Sequence, residues 1–83
     1  MKMQEIILSI PEETSSALKL APERVGEEIR LAAAIKFYEL GKLSSGAAAR
    51  LANLPRVIFL TKLAESGVDT FRLSEEELLE DLT

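Results

Sequence analysis

Residues 43–68 read LSSGAAARLANLPRVIFLTKLAESGV, and they predict two short helices joined by a tight turn. The first helix is expected over about residues 44–52, where Ala48 and Ala52 lie four positions apart and share a face that lets another helix approach closely. Asn53 follows, and asparagine tolerates the left-handed backbone conformation that often ends a helix. This pattern predicts a helix-turn-helix over residues 43–67, a motif whose second helix enters the major groove in proteins that bind DNA.

The second helix of this motif is predicted to start at Pro55, because proline fits the first turn of a helix, where its missing N–H is not needed. Phe59, Leu63 and Ser66 fall on one face, and Gly67 is predicted to end the helix. Two short helices at a corner are also common in helical domains that bind no DNA. The pattern alone therefore leaves both a DNA-binding motif and a structural corner open.

The N-terminal residues 3–10 alternate between two sides, which predicts a β-strand. One side carries Ile6, Leu8 and Ile10, and the other carries Glu5, Ile7 and Ser9. A single strand needs a neighbour for its backbone hydrogen-bonding groups. That neighbour is either the same strand of a second copy, which gives a symmetric dimer, or residues 70–73 of the same chain.

Two helices that begin with proline are predicted between this strand and the corner. The first starts at Pro11, with two glutamates in its first turn, and ends near Leu20. The second is a long central helix over about residues 22–40, ended by Gly41. Its apolar stripe consists of Val25, Ile29, Ala32, Ala33, Phe37 and Leu40, extended by Leu31, Ile35 and Tyr38. A helix this apolar is expected to be buried on more than one face, within the domain or in a dimer.

The acidic C-terminal segment, residues 69–83, is predicted as a region separate from the domain of residues 1–68. Ser74 and Glu77 form a capping box, which predicts a short helix over residues 75–82. We predict that its apolar side chains bind a partner, namely Phe71, Leu73, Leu78, Leu79 and Leu82. The alternative is that the segment packs on its own domain and turns its acidic side chains to solvent.

Length and composition limit the class of protein. Eighty-three residues form one small domain with a marginal core, and the absence of cysteine excludes disulfides and thiolate-metal sites, so a homodimer is the expected support. No apolar run approaches the roughly 20 residues that span a bilayer. The apolar run at the N-terminus is too short for a secretory signal, and charged residues lie too close to it. We therefore expect a cytoplasmic protein.

Charge is distributed unevenly along the chain, whose net charge is −4. An acidic protein is not a typical nucleic-acid binder. Residues 42–68, however, carry four basic residues against Glu65 alone, a net charge of +3. Residues 69–83 carry Arg72 against six acids, a net charge of −5. This separation predicts two surfaces with different partners, although four cations over such a length also fit an ordinary solvated surface.

No catalytic chemistry is indicated by the sequence. Histidine and cysteine are both absent, which removes the commonest general base and the usual metal ligands. The four glycines form no phosphate-binding loop, and the serines at the corner have no base to activate them. We therefore predict a binding protein that is not an enzyme and has no cofactor and no metal.

Two runs of residues support a resemblance to a known family: IPEE at residues 10–13 and APERVGEEIRLAAAIKFYELGKLSSGAAARLANL at residues 21–54. With the strand before them, they resemble a small uncharacterised family of bacterial and archaeal proteins. Its members share a strand, a Pro-Glu-Glu helix start, a long helix, a helix-turn-helix and often an acidic tail. The resemblance implies an antitoxin-like protein of a type II toxin–antitoxin pair, which neutralises a PIN-domain ribonuclease and binds its own operator.

The resemblance and the basic corner together predict the DNA-binding residues Lys42, Arg50, Arg56, Thr61 and Lys62. Two features depart from the family pattern: Asn53 stands where glycine is usual, and the second helix offers an apolar outward arc. That arc consists of Val57, Thr61 and Ala64, flanked by Ile58 and Leu60. An apolar arc more often marks a protein contact, so a protein-only interaction module or structural dimer is the alternative function.

Overall fold

A computed structural model of the chain describes residues 2–68 and is mainly helical, as predicted. Four helices follow one another in these residues: α1 (Glu12–Leu18), α2 (Pro22–Glu39), α3 (Ser45–Ala52) and α4 (Arg56–Glu65). The helix predicted over residues 75–82 lies outside the described residues. None of the four helices combines the length and the hydropathy needed to cross a membrane.

The helix starts follow the proline signals, displaced by one residue for α1 and α4. Pro11 and Pro55 precede these helices as extended N-cap residues, with ψ of 142° and 145°, while Pro22 is the first residue of α2. Proline suits these places because the N–H groups of a first helical turn have no partner within the helix.

The helix ends depend on residues in the left-handed backbone region. Helix α1 ends at Leu18, two residues before the predicted end near Leu20. Lys19 caps it at a φ of 58°, and its N–H donates to the carbonyl oxygens of Ser15 and Ser16. Gly41 follows α2 at a φ of 77°, and Gly67 follows α4 at 73°, both as predicted. Glycine adopts these angles without the steric cost of a Cβ atom. Ser66, predicted on the inner face of the fourth helix, instead forms its exposed C-cap.

The hydrophobic core forms where α3 packs between α2 and α4. Ala48, Ala49 and Ala52 present small side chains, so the neighbouring helices approach α3 closely. The buried residues of this core are Ala34, Tyr38, Ala48, Ala49, Ala52, Phe59 and Leu63. Four of these seven residues are alanines, so a single copy buries few large side chains in residues 2–68.

The face by which α2 contacts α3 differs from the predicted apolar stripe. Ala34 and Tyr38 are fully buried, and Leu31 and Ile35 pack against the same cluster. The packed side is thus the predicted extension of the stripe by Leu31, Ile35 and Tyr38. Of the main stripe only Val25 is buried, and Phe37 and other members remain exposed. The reason is that α2 carries apolar residues around most of its circumference, so its sequence pattern does not select the side that packs.

The predicted N-terminal strand is not present in the single chain. Residues 2–10 form neither helix nor strand, and all of them are exposed. A strand is defined by hydrogen bonds to a neighbouring strand, and residues 2–68 provide no such neighbour. The period-two pattern is nevertheless visible, because Ile6, Leu8 and Ile10 all line one groove against α1 and α2.

Candidate functional site

The corner between α3 and α4 is built by local hydrogen bonds. Ser44 caps α3, its Oγ accepting from the N–H of Ala47 at 3.1 Å. Asn53 ends α3 at a φ of 59°, in the left-handed conformation predicted for it, and its N–H donates to the carbonyl oxygens of Ala49 and Arg50. The chain therefore reverses over few residues, and α4 begins at Arg56.

Arg56 joins the first residues of the two helices. Its Nε and Nη2 donate to Ser45 Oγ at 3.3 and 3.1 Å, and Ser45 is fully buried. Arg56 itself is only partly exposed. This predicted DNA contact therefore holds the corner together with at least two of its five N–H donors.

Arg50 and Lys42 are exposed cations among the predicted DNA-binding residues. Arg50 lies in the last turn of α3 with an exposed side chain, and Lys42 lies in the exposed turn after α2. Both residues are exposed and are able to contact phosphate without disturbing the core. Lys42 precedes α3, whereas Arg50 lies within it.

Lys62 and Thr61 on α4 make local contacts. Lys62 Nζ lies 3.9 Å from a carboxylate oxygen of Glu65, one turn further along, and 44% and 63% of the two side chains are exposed. Thr61 Oγ1 donates to the carbonyl oxygen of Val57 at 3.1 Å. An exposed ion pair of this kind is weak, so Lys62 can exchange Glu65 for another anion at little cost.

The outward side of α4 is mainly apolar. Phe59 and Leu63 are fully buried, as their spacing predicts, and this turns Val57 and Ile58 outward with 74% and 45% of their surface exposed. Ala64 is exposed on the same side, whereas Leu60 packs against the core. Two branched aliphatic side chains in solvent form the kind of patch that commonly contacts another protein.

Arg30 is a structural contact that the sequence did not reveal. Its Nε donates to the carbonyl oxygen of Leu51 in the last turn of α3 at 2.8 Å. The bond satisfies one of the terminal carbonyls that a helix leaves without an internal partner and ties α2 to the corner. No local pattern marks this residue, because the two partners are 21 positions apart in the chain.

The predicted partner-binding residues Phe71, Leu73, Leu78, Leu79 and Leu82 lie outside the described residues. Within residues 2–68, no group of three or more metal-binding side chains is placed to hold an ion. The chemistry of this region is therefore that of a surface: exposed cations around the corner, and an apolar patch on α4.

The chain matches a family model along its whole length. The matching description is "Uncharacterised protein family (UPF0175)", and the match covers residues 1–83. The chain belongs to the UPF0175 family. A relative from Aeropyrum pernix, described as a UPF0175 protein, is 35% identical over 79 residues, which cover 95% of this chain and 83% of the relative. No solved structure matches the chain.

Membership of UPF0175 confirms the resemblance to a small uncharacterised family. The match includes the corner and residues 69–83 alike, so both predicted binding regions belong to the part of the chain that the family shares. The family description names no activity and no partner. The antitoxin role and the binding of DNA accordingly stay predictions, drawn from the resemblance and from the surface of the corner.

Proposed function

We propose that this UPF0175 protein is an antitoxin-like regulator that acts in the cytoplasm as a homodimer. One surface, the corner of α3 and α4, binds operator DNA, and the acidic residues 69–83 neutralise a PIN-type ribonuclease. The observation that supports the DNA-binding part most directly is the corner itself. Two short helices meet at a left-handed Asn53 and are locked by Arg56, with cations exposed around them.

In the proposed DNA complex, Arg50, Lys42 and Lys62 bind phosphate oxygens, which position the corner on the duplex. Thr61 and Arg56 are the side chains proposed to reach base edges, and Arg56 would exchange its hydrogen bonds to Ser45 to do so. Few base-reading side chains are present, so binding is expected to be weak and dominated by charge. The net charge of +3 over residues 42–68 supplies this attraction locally, although the whole chain is acidic.

In the proposed toxin complex, the acidic segment covers the surface that accepts an RNA strand. A ribonuclease binds the phosphates of RNA with basic groups, and a segment with six acids is complementary to such a surface. Phe71, Leu73, Leu78, Leu79 and Leu82 supply apolar side chains for neighbouring grooves, a common mode of peptide recognition.

A protein-only interaction module is the second candidate function. It is favoured by the exposed Val57 and Ile58 on α4, the helix that is expected to read bases in the first proposal. A helix that enters the major groove usually presents polar or basic side chains there. In this alternative the corner is a scaffold, and α4 binds another protein by its apolar side.

Charge reversal distinguishes the two candidates. Arg50→Glu replaces an exposed cation at the corner, and Arg24→Glu is the matched control, because Arg24 is exposed near the start of α2. We expect Arg50→Glu to weaken retention of a promoter fragment upstream of the gene by about tenfold or more, through loss of phosphate contacts. Arg24→Glu should bind nearly as the wild type, and equal binding by all three proteins would reject the proposed DNA surface.

Truncation tests the toxin-binding part separately. A chain that ends after Leu73 lacks most of the acidic segment and should fail to inhibit a PIN-type ribonuclease encoded beside the gene. The Arg50→Glu variant should inhibit the ribonuclease fully, since its change lies on the other proposed surface. Full inhibition by the truncated chain would show that residues 74–83 do not carry the neutralising contact.

A further inference from the structure

The N-terminal residues 2–10 include five large apolar side chains that lie in solvent, among four polar or charged ones. Ile6 and Leu8 expose 77% and 63% of their surface, and Ile7 exposes 91%. Neither helix nor strand forms in this segment, so its backbone N–H and C=O groups have no ladder to pair with. A segment with these properties has the composition of a strand and lacks only a neighbour.

One side of this alternating segment lines a groove on its own chain. Ile6, Leu8 and Ile10 line the groove, together with Pro22, Val25 and Ile29 of α2. Glu5, Ile7 and Ser9, on the other side of the alternation, are not part of its lining. The segment therefore already separates its two sides as a strand does, with one apolar side turned toward α2.

The groove continues into an apolar side of α2 that no described element covers completely. At 3.6 residues per turn, this side lies opposite the Ala34–Tyr38 contact with α3. It carries Val25, Ile29, Ala32, Ala33 and Leu40, with Phe37 at its edge. Val25 is buried, but Ala32, Phe37 and Leu40 are exposed. Lys36 lies on the same side and pairs with Glu39 at 2.8 Å, and both of these side chains are exposed to solvent.

We infer that a second copy of this chain covers this surface, by pairing residues 4–10 of the two copies as an antiparallel two-stranded ribbon. The inference rests on the proposed homodimer, but on neither DNA binding nor toxin binding. The ribbon lies across the grooves of both copies and completes the apolar side of α2. The N-terminal strand predicted from the sequence then forms only in the dimer.

Self-pairing satisfies the pattern of this segment. In an antiparallel pair, directly opposite residues point to the same side, so a two-fold axis must keep even-numbered residues opposite even-numbered ones. An axis at Ile7 places Ile6 opposite Leu8 and Gln4 opposite Ile10. The same axis places Glu5 opposite Ser9, so the two equal charges do not face each other across the ribbon.

The small core gives an independent reason for a second copy. Buried apolar residues within residues 2–68 are Val25, Tyr38, Phe59, Leu63 and four alanines. A domain of this size with no disulfide and so few large buried side chains usually gains stability from an oligomer. Pairing would bury Ile6, Leu8 and Ile10 twice, once in each copy.

The mass of the full chain in solution tests whether this surface is the interface. We expect sedimentation equilibrium to give twice the monomer mass of 9.1 kDa for the wild type. Ile6→Glu with Leu8→Glu should raise the dissociation constant by about 100-fold or more, since two buried aliphatic contacts are each worth about tenfold. Val57→Glu with Ile58→Glu is the matched control on α4 and should leave the dimer intact.

Each outcome of this comparison is decisive. A wild-type chain that sediments as a monomer at the highest concentration measured would overturn the homodimer and the ribbon together. A wild-type dimer that survives Ile6→Glu with Leu8→Glu, or that dissociates only with the α4 pair, would overturn the ribbon and leave the homodimer standing. Far-ultraviolet circular dichroism of each variant confirms that the helices are retained.

Cross-linking gives a second measurement that does not depend on the stability of the variants. Because the chain contains no cysteine, Ile7→Cys introduces a single thiol at the proposed two-fold axis. This thiol lies directly opposite the equivalent thiol of the second copy. Met3→Cys is the matched control, since Met3 is similarly exposed at 81%. In the ribbon, position 3 of one copy would lie eight residues from position 3 of the other, about 27 Å at 3.4 Å per residue. Mild oxidation should link Ile7→Cys chains and not Met3→Cys chains, and equal yields would overturn the register.

Discussion

Arg56 serves the packing of the corner, although the sequence predicts it as a DNA contact. Its guanidinium donates twice to the hydroxyl of Ser45, which is fully buried at the start of α3. Removing a hydrogen-bond partner of a buried hydroxyl lowers the free energy of unfolding of the protein, because water does not reach the site to replace the lost bond. The role in DNA binding remains a prediction, and the structural role is the one to be measured first.

Replacement of Arg56 by methionine should therefore destabilise the protein. Arg56→Met keeps the aliphatic stem and removes the hydrogen bonds to Ser45, and we expect the free energy of unfolding to fall by about 1–2 kcal/mol. Lys62→Met is the control, because Lys62 makes only a largely exposed contact of 3.9 Å with Glu65, and should change it by less than about 0.5 kcal/mol. Urea unfolding at one fixed protein concentration compares the two, and equal effects would contradict the structural role.

Asn53 carries a backbone conformation that most side chains avoid. The φ of Asn53 is 59°, which alanine adopts at a steric cost and glycine does not. Asn53→Ala should therefore lower the free energy of unfolding by about 1 kcal/mol, while Asn53→Gly should leave it equal or higher. Thermal unfolding of both variants measures the difference. An alanine variant as stable as the glycine variant would mean that the turn relaxes to another conformation.

The elements of this fold differ in how far sequence determines them. Helix α3 is determined by small residues: Ala48 and Ala49 are 0% and 2% exposed, and their size sets how closely α2 and α4 approach. A larger side chain at either position has no space without displacing a neighbouring helix.

Ala48→Leu should accordingly overpack the core. We expect a loss of about 1–3 kcal/mol in the free energy of unfolding, because the added atoms force the helices apart. Ala64→Leu is the matched control, since Ala64 is exposed on α4, and should have an effect within about 0.5 kcal/mol. Equal stability of the two variants would mean that the contact of α3 with its neighbours is looser than the structure shows.

The helices and their ends could be predicted from local chemistry. Proline before α1 and α4, Asn53 after α3, and glycine after α2 and α4 each act within one turn, and the structure has these helix ends within one or two residues of the predicted positions. The packed face of α2 could not be predicted, because apolar residues surround that helix and the side is chosen by the small residues of α3. The strand over residues 3–10 depends on a neighbour that a single chain does not contain.

The features of the candidate site likewise divide into those that local spacing predicts and those that it does not. The inward turn of Phe59 and Leu63, and with it the apolar outward arc of α4, follows from their spacing of four residues. The bonds of Arg56 to Ser45 and of Arg30 to Leu51 were not predictable, since they join residues 11 and 21 positions apart. Such contacts depend on the final angle between helices, which no local pattern records.

At the scale of the whole molecule, charge separates two proposed surfaces. Residues 42–68 carry a net charge of +3 and residues 69–83 a net charge of −5, within one chain of net charge −4. Attraction to DNA must therefore arise locally and must work against the field of the rest of the chain. Salt weakens such an interaction strongly, whereas it hardly affects contacts of apolar side chains such as Val57.

The salt dependence of binding between the wild-type protein and a fluorescent fragment of its own promoter tests the proposed DNA surface most directly. With three exposed cations at the corner of each copy, log K should fall against log salt with a slope of about −3 per bound copy. The Arg50→Glu variant should show a shallower slope. No binding at low salt, or an affinity that stays constant as salt rises, would contradict an electrostatic DNA-binding corner and favour a protein-only module.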